Sequence, residues 1–402
     1  MSGENNIYLD FAASAPIVKP AQLFALDFFQ NQESQANFSN PNSLHSPARK
    51  SFKMLEDARC SVAKLIGAKR PDEIIFCSGA TEANNLALRG IIERLGKDRR
   101  LFPYSDKRCH VITSSIEHPS VLAVLENLSK THIELSVLKP NSNGLIEASL
   151  IEDSIKENTV LCSIQFVNNE IGTIQNVEQI SDICRNHGVY FHTDAVQALG
   201  KMPINVCDLG LSAASFSGHK IGACKGVGVL YINKLTPVAA QLEGGGQEFK
   251  LRSGTQNVFG ACMFATALEY KMQNLQIFSN HNLDIRRYSI SKIMERDYLQ
   301  MSVNILDAEE SFVNNIVNFC HRNAENDRII LGLDAYNVSI SGGSACSSAS
   351  SFSSSVLKEI GLNEDIANGS IRLSFGESTT REDIDFLFEK LDDVTFELSN
   401  FR

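Results

Sequence analysis

No Cys-x-x-Cys pair and no Cys/His spacing of the kind that holds zinc occurs in this chain, although it carries 10 cysteines. That removes the usual structural-metal and dithiol motifs, and no metal site is expected. Most of the cysteines, Cys77, Cys162 and Cys262 among them, lie in apolar runs and read as small buried hydrophobes. Also missing is any apolar window long enough to span a bilayer, and residues 1–10 lack a basic stretch followed by an apolar core. A cytoplasmic protein without membrane contact is expected. Positive charge is in deficit, with 37 Lys and Arg against 47 Asp and Glu for a formal charge of -10. Phosphate contacts need clustered cations, so direct nucleic-acid binding is not expected as the main business. The exception is a local basic patch around Lys97 to Lys107, where five Lys or Arg residues, Lys97, Arg99, Arg100, Lys107 and the adjoining Arg108, fall close together. No internal repeat is visible.

What is present suits a globular protein: 402 residues, 43% hydrophobic and 21% charged, are enough for two domains and a large core. The stretch S-F-S-G-H-K-I-G-A-C-K-G-V-G-V-L holds Lys220 between a small-residue turn and a glycine-rich exit into an apolar run. Such a lysine can be a fixed, partly desolvated amine able to form a Schiff base. Taken alone, a solvated loop lysine is the plainer reading.

Strands alternate with helical segments through the first two thirds of the chain. Residues 73–77 read as a buried strand ending in Ser78-Gly79-Ala80-Thr81, after which Ala83, Leu86, Ala87 and Ile91 carry the helical period. Backbone N–H groups and the Thr81 hydroxyl at that helix start make a natural phosphate site. Residues 110–114 form a strand leading to His118, and 160–166 one leading into V-N-N-E-I-G-T with Asn169. Residues 188–192 form a strand leading to Asp194, and 213–216 one leading to Lys220. In an α/β fold with a mostly parallel sheet, such strand ends converge on one crevice. A single helix is expected over 257–294, bridging to a smaller α/β unit. The Gly/Ser-rich segment S-I-S-G-G-S-A-C-S-S-A-S-S-F-S-S-S around Cys346 cannot be a core strand or a stable helix. It reads as a mobile tether.

These groups suit an aldehyde cofactor held by Lys220. Asp194 beside a pyridine nitrogen would raise its basicity, and Gln197 could reach a phenolic oxygen. His118 could stack on the ring and exchange protons. Ala80, Thr81, Ser217 and His219 could hold a phosphate, and Arg372 could clamp a substrate carboxylate bidentately.

The chain resembles the cysteine desulfurases, pyridoxal-phosphate enzymes of the class V aminotransferase fold, in the group with an S-G-x-A-C-S-S-A-S loop. The likeness rests on Y-L-D-F-A-A-S-A-P, S-N-P-N-S-L-H, S-G-A-T-E-A-N-N-L, S-S-I-E-H-P-S-V-L, V-N-N-E-I-G, H-T-D-A-V-Q-A-L-G-K, S-F-S-G-H-K, G-G-G-Q-E, L-R-S-G-T, G-S-A-C-S-S-A-S and S-I-R-L-S-F-G, in family order along nearly the whole chain. It implies a PLP-dependent transferase of fold type I. A large domain over 16–270 and a small domain over 271–402, joined by residues 1–15, are expected. Lys220 would hold pyridoxal 5'-phosphate, with Asp194, Gln197 and His118 on its ring. Ala80, Thr81, Ser217 and His219 would take its phosphate, with Thr255 reaching across from a second subunit of a homodimer. Asn169 and Arg372 would face L-cysteine. Cys346 would accept its sulfur as a persulfide, leaving L-alanine, and pass it to an acceptor protein for iron-sulfur cluster assembly or nucleic-acid thiolation.

Departures from the family pattern fall at Ala223 and Cys224, where glycine and proline are usual, and at Glu377, where arginine is frequent. Ser353 and Ser355 replace a proline and an aromatic residue after Cys346. Cys224 adds a candidate second thiol near the site. A relative acting on selenocysteine or another amino acid, and a non-catalytic sulfur relay, stay open as alternatives at this point.

Overall fold

The computed structural model describes residues 6–31, 34–97, 108–306, 308–343 and 354–400. Cys346, and Arg99, Arg100 and Lys107 of the basic patch, lie outside these residues. The strands are β1 (Ile7–Tyr8), β2 (Ile74–Cys77), β3 (Cys109–Ser114), β4 (Ile133–Leu138), β5 (Thr159–Ser163), β6 (Tyr190–Asp194), β7 (Ala213–Ser217), β8 (Gly228–Ile232), β9 (Leu299–Met301), β10 (Ile316–His321), β11 (Val338–Ser339) and β12 (Ser370–Ser374).

A 7-stranded sheet runs in the order β2-β8-β7-β6-β5-β3-β4. From β7 to β4 the neighbours pair in parallel, whereas β8 is antiparallel to both β7 and β2. The sheet is therefore mostly parallel, as expected. Strands β2, β3, β5, β7 and β8 are buried at every residue, which follows from helices covering both faces. On one face the helices Ser46–Leu65 and Val258–Gln273 pack Leu55, Val62 and Phe264 against Phe76, Phe191 and Phe216. On the other, Leu86 and Ile91 of helix Ala80–Lys97 join Val121 and Leu125 over Val111, Leu161 and Leu230.

The later part of the chain forms a 3-stranded antiparallel sheet, β12-β10-β9. Its core packs Phe319, Ile371 and Leu373 against Ile285, Leu387 and Phe388 of helices Leu275–Met294 and Arg381–Asn400. Ile7 and Leu9 belong to that core, and β1 pairs in parallel with β11.

Two sequence expectations change. The helix over 257–294 is two helices, Val258–Gln273 and Leu275–Met294, broken at Asn274. The Asn274 side chain donates to the Tyr270 carbonyl at 2.8 Å, giving the chain a local alternative to continuing the helix. The strand over 160–166 stops at Ser163. Ile164 and Phe166 still donate to β6, but Val167 then bridges Ile174 across a tight turn. The Asn168 Oδ1 drives that turn by accepting from the N–H groups of Glu170 and Ile171 at 2.9 and 3.0 Å.

Candidate active site

The carboxyl ends of β2, β3, β5, β6 and β7 open on one cavity of about 480 Å³. Its wall includes Ala80, Thr81, His118, Asn169, Asp194, Gln197, Ser217, His219, Lys220 and Arg372, so the structure brings these sequence-predicted residues together. Thr255 is exposed and is not in the wall.

Lys220 sits in a short 3-10 turn, Gly218–Lys220, straight after β7. Its Nζ donates to the carbonyls of Ala12 and Ala13 at 2.6 and 2.7 Å, which aims the amine across the cavity floor. The turn closes on Ala223, whose N–H donates to the Gly218 carbonyl at 3.0 Å. Gly222 has φ +83, and a Cβ there would come within 2.5 Å of the Val18 side chain, so the position requires glycine. Ala223 is buried in the core, and Cys224 is not part of the cavity wall. Burial raises the Cys224 thiol above its ordinary range, so it stays protonated at physiological pH.

Asp194 ends β6 and is buried. Its Oδ2 accepts from Asn84 Nδ2 at 2.8 Å and its Oδ1 from the Val196 N–H at 3.1 Å, which fixes the carboxylate plane. Gln197 donates through Nε2 to the Ala12 carbonyl at 2.9 Å, while its Oε1 accepts from Lys201. Lys201 closes the motif H-T-D-A-V-Q-A-L-G-K, where nothing in the sequence alone marks it as a buried amine. Burial, then the charges of Lys220, Lys271 and Arg372, push it well below the usual lysine range.

His118 precedes helix Pro119–Ser129 and caps it, accepting at Nδ1 from the Ser120 N–H at 3.1 Å. Burial depresses its basicity, the Asp194 charge opposes this, and the Lys220 charge reinforces it. His219 is lowered to about 4, first by burial and then by Lys220, Lys225 and Lys201. Both imidazoles are therefore neutral at physiological pH.

Ser78, Gly79, Ala80 and Thr81 lead into the 18-residue helix Ala80–Lys97. Ser217 lies opposite Gly228 in the β7–β8 ladder, and a Cβ on Gly228 would come within 2.6 Å of the Gly79 Cα. That close approach keeps Ser217 beside the helix start. The Ser78 N–H donates to Glu82 at 2.7 Å, and Glu82 pairs with Arg252 at 2.7 Å, bracing the turn. Backbone N–H groups, two hydroxyls and a neutral imidazole thus surround one end of the cavity, an arrangement that suits a phosphate. Arg372 on β12 donates to the Asn169 carbonyl at 2.9 Å and to Asp10 Oδ1 at 2.7 Å, and its Nε is buried without a partner among the described residues.

A lysine beyond a strand end, a buried carboxylate and a helix-start phosphate cradle on a mostly parallel sheet define the class: a pyridoxal-phosphate-dependent enzyme of fold type I. The residues fit that cofactor, since an added Cβ on Gly79 in the cavity wall would meet nothing, which leaves the cradle open, and Asp194 supplies the acceptor that a pyridinium nitrogen needs. Comparison with known proteins narrows it. The family model described as aminotransferase class-V matches residues 7–387. A cysteine desulfurase IscS of Dictyoglomus turgidum is 36% identical over 391 residues, covering 97% of this chain and 95% of that protein. Among solved structures, a NifS-like protein superposes with a TM-score of 0.86 at 30% identity, covering 97% of this chain and 99% of that one. SspA in complex with cysteine superposes with a TM-score of 0.77 at 32% identity, covering 93% of this chain and 100% of that one. The chain belongs to the class-V aminotransferase family and, within it, to the cysteine desulfurases, which are enzymes dependent on pyridoxal 5'-phosphate.

Proposed function

We propose that this protein converts L-cysteine to L-alanine, takes the sulfur onto Cys346 as a persulfide, and delivers it to an acceptor protein for iron-sulfur cluster assembly or nucleic-acid thiolation. The observation that carries this reading is the meeting of Lys220, His118, Asp194 and Arg372 in one cavity. Support for Cys346 comes from the two ends of its segment. Ser354 donates to Glu170 at 2.5 Å, and a Cβ added to Gly343 would come within 3.1 Å of the same carboxyl, so both ends sit beside Glu170, the residue next to Asn169 of the cavity wall.

When bound, the cofactor supplies an electron sink for charge developing on the substrate. Lys220 would attach it through Nζ, with Asp194 against the ring nitrogen and Gln197 toward the phenolic oxygen. Ala80, Thr81, Ser217 and His219 would hold its phosphate. Arg372, beside Asn169, binds the substrate carboxylate with its fork of donors. His118 holds and moves a proton at the substrate. The Cys346 sulfur bonds to the substrate sulfur as the substrate Cβ–S bond breaks. The proton released from the thiols ends on Cβ, so cysteine plus thiol gives alanine plus persulfide.

We also propose a homodimer in which Thr255 completes the phosphate site of the partner subunit. Thr255 is exposed, and Asn42 bonds the adjacent Gln256 at 2.7 Å. Leu26, Phe29, Phe38 and Leu44 from the same amino-terminal part are exposed large hydrophobics that a second copy would cover. The break at Asn274 and the separate core around β10 support a large domain over 16–270 and a small one over 271–402, joined by residues 1–15. Free thiols at the described cysteines support a reducing, cytoplasmic setting. Among the described residues no helix is long and apolar enough to cross a membrane.

Incubation of the purified protein with labelled cysteine tests the reading. Alanine and a labelled, reductant-releasable sulfur on the enzyme are expected, and Cys346→Ala abolishes the second. Sulfur transfer that survives that substitution, or a colourless protein unaltered by borohydride, overturns it.

A further inference from the structure

We propose that Asn84 and Ser120 are positioning residues that fix His118 as the neutral imidazole carrying its proton on Nε2. The case rests on the directions that a buried chain of hydrogen bonds is forced to take. Asp194 accepts only, so the Asn84 atom 2.8 Å from its Oδ2 is the amide nitrogen. The reverse orientation would set an amide oxygen against a carboxylate oxygen. The same Nδ2 lies 2.9 Å from Ser120 Oγ and donates its second hydrogen there. Ser120 Oγ accepts from Asn84, and because the backbone N–H of the same residue makes His118 Nδ1 an acceptor, its own hydrogen points at that nitrogen, 2.8 Å away. The Ser120 backbone N–H donates to that nitrogen as well, at 3.1 Å. With two donors on Nδ1, the neutral ring carries its proton on Nε2, the nitrogen left for the substrate side of the cavity.

Asn84 keeps this orientation at a cost, because its Oδ1 is buried with no partner among the described residues. Two independent anchors, one from the helix Ala80–Lys97 and one from the backbone of the helix that His118 caps, thus specify a single tautomer. Protonating the ring at Nδ1 would break both bonds, so the hydrogen bonding adds to burial in keeping it neutral. The charged groups acting on it are Asp194 from β6, which favours protonation, and Lys220 beyond β7, which opposes it. Glu117, next to it in the chain, is itself pushed up to about 8 by burial and so is largely uncharged.

The inference stands on this geometry and not on the proposed role of His118, and the test reads the polypeptide itself. Protein labelled with ¹⁵N at histidine, with the His118 signals assigned by their loss in His118→Gln, reports both ring nitrogens directly. Nδ1 is expected at the shift of an unprotonated acceptor and Nε2 at that of a protonated nitrogen. In Ser120→Ala the His118 midpoint is expected to rise by about half to one pH unit, the worth of one lost hydrogen bond to the neutral form. Ser120→Thr is expected to restore it. A proton on Nδ1 in the wild-type protein overturns the inference without any variant having to fold. An unchanged midpoint in folded Ser120→Ala overturns it too. Either failure leaves the desulfurase reading standing, whereas a protein with this tautomer that makes no alanine from cysteine would sink that reading and not this one.

Discussion

Arg59 and Glu248, 189 residues apart, form a bidentate ion pair at 2.7 and 2.8 Å with each side chain only 2% exposed. Glu248 also accepts the Phe76 N–H at 2.9 Å, and Arg59 donates to the Ile74 carbonyl at 2.6 Å, so the pair clamps β2 to helix Ser46–Leu65. The Arg59 guanidinium lies 5.0 Å from the ring centroids of both Phe76 and Phe249. Around the clamp the backbone is strained: Glu248, Phe249 and Lys250 have φ of 46, 57 and 67°, the left-handed region for three non-glycine residues in succession. The pair holds that conformation and so sets where the following residues go, Arg252 onto Glu82 and Thr255 onto the surface.

Glu248→Ala is therefore expected to destabilise the protein by about 3 kcal/mol, the low end for breaking a buried pair, because the guanidinium loses its bidentate partner and of carboxylates keeps only Glu56, 2.9 Å from its Nε. The relaxed loop should also release cofactor faster, since Arg252 and Thr255 follow it. Urea unfolding and the rate of cofactor loss check both. A stability change of under about 1 kcal/mol would show that the strained turn needs no clamp.

The strand ends were legible in the sequence because each joins a buried run to a polar turn within a few residues. Thr81, His118, Asn169, Asp194 and Lys220 could be placed in one crevice from that pattern alone. Arg59 and Glu248 could not, since a pair so distant in sequence leaves no periodic trace and each residue is an ordinary charge in its own segment. Asn84 and Ser120 lie inside S-G-A-T-E-A-N-N-L and S-S-I-E-H-P-S-V-L, but a helix interior and a helix start explain an asparagine and a serine equally well until Asp194 is seen beside them. The helical period reads straight across Asn274, whose helix propensity is only mildly poor, so the break there depends on its side chain and not on the apolar pattern.

Arg372 offers a division between binding and turnover. It is 1% exposed, lines the cavity, and donates once from each terminal nitrogen, to the Asn169 carbonyl and to Asp10, so each keeps a second N–H for a ligand. Lysine keeps the charge and loses the planar fork. Arg372→Lys is expected to raise KM for cysteine about tenfold to a hundredfold with a smaller change in kcat, the range of one charge-assisted hydrogen bond. Steady-state kinetics measure it, and a fall confined to kcat would remove Arg372 from substrate binding.

Glu117 should make stability fall as pH rises. Burial pushes its carboxyl up to about 8 from an ordinary 4.5, against hydrogen bonds from Ser114 Oγ at 2.5 Å and the Gln165 N–H at 2.9 Å, with the Asp194 charge adding to the rise. Below about pH 4.5 the group is protonated in both folded and unfolded chains. Between there and about pH 8 the unfolded chain releases the proton that the folded chain keeps, so unfolding becomes progressively easier. Above that range the folded carboxyl ionises as well and the trend ends. Glu117→Gln cannot titrate, and its stability relative to the parent is expected to rise between about pH 5 and pH 8 by on the order of a few kcal/mol. Urea midpoints for the two proteins at those pH values decide the matter. Parallel curves would mean that Glu117 is ionised in the fold, and the unpartnered Oε2 would then need a donor that the described residues do not supply.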